Sequence, residues 1–400
     1  MSSASGREKI CIIGSGNWGS AIATVVGRNA GRLDFCQDEV NMWVFDEKID
    51  TEEGEIMLSE LINTRHENAK YLPGIKIPKN VIAYPELKRA CEGATLLIFV
   101  LPHQFLPKLL PTLREHADSN CRGVSLIKGL DFDSTTRKPI LVSKSIEQSM
   151  GDGFRCGALM VSLRLHVQHR HSRLSAASSP QGANVANEVA EQHMCESTLA
   201  CDFEDRELND RTLAIFNEPP NFRVSRINDV AGAEVCGAIK NIVALGAGFV
   251  DGLNLGGNTK AALMRVGLLE MKQFCTTFFT GVEPSTFLES CGLADLITTC
   301  YGGRNRRCAE LFARKQKESH TVDCGQLWME IERKMLNGQK LQGTLAAEEV
   351  YLSLKSRQLL DVFPLMTTIY EIAFQGSPID EITKGIRVAD ISSSSLISKV

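Results

Sequence analysis

The stretch Ile10-Cys-Ile-Ile-Gly14-Ser15-Gly16-Asn17-Trp18-Gly19-Ser-Ala-Ile-Ala decides the reading of this chain. It opens with a short apolar run that reads as a buried strand. A glycine turn follows, and then small and apolar residues at helical spacing. A Gly-x-Gly-x-x-Gly motif carries meaning only in such a strand–turn–helix context. In that unit Gly14 makes the tight turn, Gly16 lets backbone N–H groups approach a pyrophosphate, and Gly19 lets the helix pack close on the strand. The phosphates then lie at the positive end of the helix dipole. The expected ligand is a dinucleotide.

The bulk properties narrow the class. Four hundred residues are enough for two or three domains. A net charge of −4 and a pI near 6.1 give no general attraction to nucleic acid or an anionic membrane. An anionic substrate must therefore be held by local cations. The 13 cysteines make no metal-ligand spacing, so no metal is expected. The polar start reads as lacking a secretory leader, and reduced thiols fit a cytoplasmic protein. No apolar run approaches the about 20 residues of a membrane helix. Ser398-Lys399-Val400 resembles a peroxisomal Ser-Lys-Leu signal without its Leu.

Outward from the glycine turn, Asn41-Met-Trp-Val-Phe45 reads as a second strand ending at Asp46. An acidic residue there can meet an adenosine ribose, which favours NAD over NADP, or can be a turn residue. It comes later than the about 20 residues usually separating it from the glycines, and a loop over 27–38 is expected to absorb the difference. Further strands are expected at 81–83, 95–100, 123–127, 158–161, 196–201 and 222–225. Pro102-His103-Gln104-Phe105 and Lys128-Gly129 follow two of them, where such sheets bind ligands. Residues 153–187 contain no Asp or Glu, and Arg164, His166, His169, Arg170, His171 and Arg173 crowd their middle. That composition reads as a basic loop insertion over about 162–180.

Beyond about Arg226 the apolar spacing becomes helical and strands stop. A boundary there gives a dinucleotide-binding domain over 1–226, a helical domain over 227–388 and a polar tail over 389–400. The helix from Val230 to Val250 is apolar all round, so it should be buried. Lys240 and Asn241 lie within it. Burial lowers a lysine's pKa toward the range useful for acid/base work. Asp295 lies among apolar residues in Ala294-Asp295-Leu-Ile-Thr298-Thr299-Cys-Tyr-Gly302-Gly303-Arg304-Asn305-Arg306, so it needs a cation, and Lys240 is an obvious partner. Arg304 offers a planar fork for phosphate oxygens, and Thr299 and Asn305 add a hydroxyl and an amide. Asn337-Gly-Gln-Lys340-Leu-Gln342-Gly343 reads as a loop between helices.

Seven motifs in order closely resemble the cytosolic-type NAD-dependent glycerol-3-phosphate dehydrogenases. They are Gly-Ser-Gly-Asn-Trp-Gly, Pro-His-Gln-Phe, Leu-Ile-Lys-Gly, Gly-Ala-Asn-Val-Ala, Cys-Gly-Ala-Ile-Lys-Asn, the Asp295–Arg304 cluster and Asn-Gly-Gln-Lys-Leu-Gln-Gly. The resemblance implies an α/β Rossmann-type domain followed by an all-helical substrate domain, working as a homodimer. It implies Lys240 as general acid/base, with Lys128 and Asp295 beside it. Lys128, Asn241, Thr299, Arg304 and Asn305 match the substrate set. Gly14, Ser15, Gly16, Asn17, Trp18, Gly19, Phe45, Phe105, Ala186, Arg304, Lys340 and Gln342 match the NAD contacts. Asn184 falls near the reacting centre. The implied reaction interconverts dihydroxyacetone phosphate plus NADH and glycerol 3-phosphate plus NAD. Another β-hydroxyacid-type dehydrogenase and a non-catalytic NAD-sensing protein are the alternatives. The insertion departs from the family pattern, and deletion of Ser162–Pro180 is expected to leave activity equal or higher.

Overall fold

The computed structural model describes residues 6–52, 54–161, 185–318 and 323–388. Asn184, the basic segment 162–180 and the tail 389–400 lie outside them. The chain forms two compact units. Of the described residues, the first holds 6–52, 54–127, 142–161 and 185–230, and the second holds 128–141, 231–318 and 323–388.

The first unit is built on an eight-stranded sheet. Its strands are β1 (Glu8–Ile13), β2 (Cys36–Trp43), β3 (Val81–Tyr84), β4 (Leu96–Phe99), β5 (Arg122–Ser125), β6 (Cys156–Val161), β7 (Cys195–Ala200) and β8 (Phe222–Ile227). The spatial order is β3-β2-β1-β4-β5-β6-β7-β8. Neighbours are parallel except β6 and β7, which pair antiparallel, Ala158 opposite Ala200. The first six strands thus have the doubly wound order of dinucleotide-binding sheets, with the order reversing between β1 and β4. Strands buried on both faces need continuous apolar runs, and β4, Leu96-Leu-Ile-Phe99, is wholly buried.

The strand expected at 41–45 runs from Cys36 to Trp43 and the one expected at 123–127 ends at Ser125, and two larger differences lie around β2. No loop spans 27–38: the helix Asn17–Ala30 runs past Gly27, and β2 begins at Cys36. A Cβ at Gly27 would lie 2.7 Å from Val81 Cγ2, so this glycine serves close helix–sheet packing. The second difference is a short hairpin, Lys48–Thr51 with Gly54–Met57, after β2.

Among the described residues the second unit is helical apart from one hairpin, Leu130–Phe132 paired with Pro139–Leu141. Its central helix, Val230–Gly252, has 23 residues and is long and apolar enough to cross a membrane by length and composition. The expectation that no stretch approaches that length is thereby corrected. The helix is buried as a core element instead. Ile242, Phe249, Phe274, Phe312, Trp328 and Phe363 share its core, with Phe312 and Trp328 stacked at 4.3 Å. All 13 cysteines are buried, and none forms a disulfide.

Candidate active site

In the first unit each glycine of the turn has a distinct environment. Gly14 has φ +116°, a backbone state that side chains disfavour, and a Cβ there would lie 2.4 Å from the Val100 carbonyl oxygen. A Cβ at Gly19 would lie 2.1 Å from the Gly14 carbonyl oxygen. A Cβ at Gly16 would meet nothing within 4 Å. Two glycines are therefore required by packing, while the third leaves room above the backbone. The N-cap of the helix that starts at Asn17 is Gly16, which has no side chain to cap it, so among the described residues the first N–H groups are open to an anion. These features fit the pyrophosphate of a dinucleotide.

Asn68, which the sequence reading missed, holds this turn. It is fully buried; its amide donates to the Ser15 carbonyl and to Ser20 Oγ, both at 2.8 Å. Its Oδ1 accepts the Tyr71 N–H at 3.1 Å. Asn17 donates to the Tyr71 carbonyl at 2.6 Å and to Asn187 Oδ1 at 3.0 Å. Ser15 is buried, and Trp18 packs on a small cluster of Ala21, Leu72, Ala186 and Ala190. The Ala186 methyl is thus a packing group. Phe45 and Phe105 are 73% and 47% exposed, unusual for phenylalanine and suited to stacking on a flat ligand. Asp46 takes its turn-residue role: its two oxygens accept the Ser59 N–H and Oγ–H, each at 2.9 Å.

In the second unit the central helix carries Lys240 into the core, where it is 2% exposed. Asp295, fully buried at the start of the helix Asp295–Gly302, lies 2.5 Å from Lys240 Nζ through Oδ1. Its Oδ2 accepts from Lys128 Nζ at 3.2 Å. Lys240 also donates to Thr299 Oγ1 at 2.8 Å, and that hydroxyl donates to the Asp295 carbonyl at 2.6 Å. One carboxylate thus lies between two ammonium groups, and the Thr299 hydroxyl is committed to Lys240.

Burial brings the Lys240 pKa down from 10.5 to about 7; Asp295 opposes that shift and Lys128 adds to it. Burial alone would raise Asp295, but Lys128 and Lys240 outweigh it and hold the carboxyl below its ordinary value. The result is a lysine that can give or take a proton near neutrality beside a carboxylate that stays ionised.

Around this triad, Asn305 is 9% exposed, donates to Asn241 Oδ1 at 2.9 Å and accepts the Gly343 N–H at 2.9 Å. Arg304 opens the helix Arg304–Glu318, is exposed and makes no ion pair among the described residues. Arg306 differs, being paired with Asp251 and Glu310. The loop between the helices Cys324–Leu336 and Gln342–Ser356 carries Lys340, which donates to Glu332 Oε2 at 2.8 Å. Glu332 is 3% exposed and also accepts the Leu341 N–H at 3.1 Å. It is a second residue that the sequence reading missed. Gln342 is exposed at the first position of its helix.

The sequence profile of the NAD-dependent glycerol-3-phosphate dehydrogenase N-terminus matches residues 9–161, and that of the C-terminus matches 229–384. The chain belongs to the NAD-dependent glycerol-3-phosphate dehydrogenase family. It is 47% identical over 375 residues to the mouse cytoplasmic glycerol-3-phosphate dehydrogenase [NAD(+)], covering 94% of this chain and 96% of the relative. The human cytoplasmic protein is 46% identical with the same coverage. The solved glycerol-3-phosphate dehydrogenase of Saccharomyces cerevisiae superposes with a TM-score of 0.81 at 39% identity, over 95% of this chain and 99% of that one. Family membership makes the chain an NAD-dependent oxidoreductase and replaces the Asp46 argument as the ground for NAD.

Proposed function

We propose that Lys240 is the general acid/base of this enzyme. As a glycerol-3-phosphate dehydrogenase, the chain interconverts dihydroxyacetone phosphate plus NADH and glycerol 3-phosphate plus NAD. The bound nicotinamide supplies or takes up the hydride. In the reducing direction C2 of the ketone gains that hydride, its oxygen becomes an alkoxide, and the Lys240 ammonium transfers one proton to it. The products are the alcohol and a neutral lysine. The observation that carries this reading is a buried amine 2.5 Å from a buried carboxylate, with burial pushing the amine down to about 7.

Asp295 keeps Lys240 charged enough to donate at neutral pH. Lys128 adds a second positive charge where the alkoxide develops. Arg304 holds the phosphate, so binding energy remote from C2 positions the reacting carbon. Residues 1–226 hold the cofactor and 227–388 hold the substrate, with Lys128 contributed to the second set. Phe45, Phe105, Lys340 and Gln342 contact NAD. The enzyme works in the cytoplasm, as the names of its relatives suggest. It works as a homodimer, a reading that family membership supports. Exposed Leu293, Ile297 and Tyr301, at four-residue spacing, offer a face for a second copy.

The test is NADH oxidation with dihydroxyacetone phosphate. Lys240→Ala should lower kcat by about 10²–10⁴-fold, the span of general acid catalysis, while NADH still binds. Turnover near that of the unaltered enzyme would remove Lys240 from the acid/base role.

A further inference from the structure

A backbone N–H can only donate, which makes it a fixed point for the polarity of the side-chain amides around it. The Gly343 N–H donates to an oxygen of Asn305, at 2.9 Å. That bond places Oδ1 of Asn305 toward Gly343 and leaves Nδ2 for its other neighbour. The neighbour is Asn241, whose Oδ1 accepts from Asn305 Nδ2 at 2.9 Å. Asn241 therefore turns its own Nδ2 away from Asn305. That amide group has no partner among the described residues, and Asn241 is only half-buried. The polarity of two side chains is set by one main-chain donor.

Gly343 is suited to this position. A Cβ there would lie 2.8 Å from Asn305 Oδ1 and 2.8 Å from the Asn241 carbonyl oxygen. Any side chain at 343 would push the Asn305 amide off the N–H that orients it. The absence of a side chain thus serves the orientation of its neighbours rather than a turn.

We propose that Gly343, through Asn305, makes Asn241 an obligate hydrogen-bond donor toward the phosphorylated substrate, so that the site selects an oxygen acceptor at that point. Asn305 is then a positioning residue. The inference rests on the reading of Asn241 as a substrate contact. A carbonyl, hydroxyl or phosphate oxygen satisfies the donor, whereas a ligand N–H placed there would face another N–H and leave both unpaired.

A double-mutant cycle tests it, with kcat/KM for dihydroxyacetone phosphate as the readout. Asn305→Asp keeps the acceptor for Gly343 but cannot donate to Asn241. The Asn241 amide then turns Nδ2 toward the carboxylate and presents its oxygen to the substrate. Asn241→Ala alone should lower kcat/KM about 10-fold or more, the loss of a ligand hydrogen bond, and Asn305→Asp at least as much. The double variant should lie within about threefold of Asn305→Asp alone, because the two substitutions remove the same interaction. If Asn305 only supported the fold, its loss would multiply with that of Asn241, and multiplied losses would overturn the proposal. Unaltered kcat/KM in Asn241→Ala would instead overturn the substrate-contact reading itself. Should Asn305→Asp fail to fold, judged by its thermal midpoint, Gly343→Ala takes its place in the cycle with the same expected coupling.

Discussion

Replacing Asp295 by Asn removes the negative charge that lies between Lys128 and Lys240 while keeping the side chain's size. With an effective dielectric of about 20, a unit pair at the 2.5 Å of Lys240 and Asp295 is worth about 6–7 kcal/mol, and at the 3.2 Å of Lys128 about 5 kcal/mol. Relaxation and water entry absorb part of this. A loss of about 2.7 kcal/mol on Lys240 alone is two pKa units, which takes the amine from about 7 to about 5 or lower. At neutral pH its protonated fraction then falls from about one half to about one in a hundred. With Lys240 as the proposed acid, ketone reduction needs its protonated form, so the rate should fall as pH rises through the Lys240 pKa. In Asp295→Asn that descent should lie at least about two units lower. Stability responds with a definite sign. Lys240 titrates lower in the folded chain than in the unfolded one, so the unfolded state binds more protons between about 7 and 10.5, and stability rises with pH across that window. In Asp295→Asn the window should extend down to about 5, with a loss near neutrality of about 3–5 kcal/mol, typical of a broken buried pair. Initial rates of NADH oxidation from pH 5 to 9 and thermal midpoints over the same range are the assay. A variant whose rate still descends near pH 7, with unaltered kcat below it, would refute the idea that Asp295 sets the charge of Lys240.

The glycine turn separates room for a ligand from packing. Gly16→Ala should leave the thermal midpoint almost unaltered while raising KM for NADH, whereas Gly19→Ala should lose about 1–3 kcal/mol or more to overpacking, as read by denaturant unfolding. Asn68→Ala orphans the Tyr71 N–H and removes two bonds to the turn. A stability loss of about 1–3 kcal/mol with a higher KM for NADH is expected, and an unaltered KM would show that the turn holds without it. Glu332→Gln keeps an acceptor for the Leu341 N–H but frees Lys340. Ordering one long side chain costs about 0.5–1.5 kcal/mol, so KM for NADH should rise about 2–12-fold at constant kcat, and an equal fall in kcat would point to a different role.

The sheet was legible because its signals are local. Buried parallel strands need continuous apolar runs, and β1, β3 and β4 contain them, whereas the first half of β2 is mostly polar and exposed. What failed was the meaning of single residues whose partners lie far along the chain. Gly27 reads as a loop glycine in one dimension, yet it lies inside a helix because Val81 and Pro78 approach it. The hairpin 130–141 has strands of only three residues, too short for alternation to register.

The site divides along the same line. Lys240 and Asp295 were readable because a charge inside an apolar helix or among apolar neighbours is anomalous by itself, and burial demands a counter-charge. Nothing comparable marks Asn68 or Glu332, which are ordinary polar residues until the fold buries them against a turn or a loop. Lys128 is intermediate. Its place after a strand was visible, but its partner lies 167 residues away. The hairpin that follows Lys128 clusters with the helical unit, and this explains how a residue three positions past β5 comes to share a carboxylate with Lys240. The ion triad thus depends on a short, weakly marked hairpin as much as on the strongly marked core helix. Lengthening the segment 133–138 should therefore disturb the proposed contribution of Lys128 to turnover while leaving the dinucleotide turn intact, a separation that kcat and KM for NADH, measured together, would reveal.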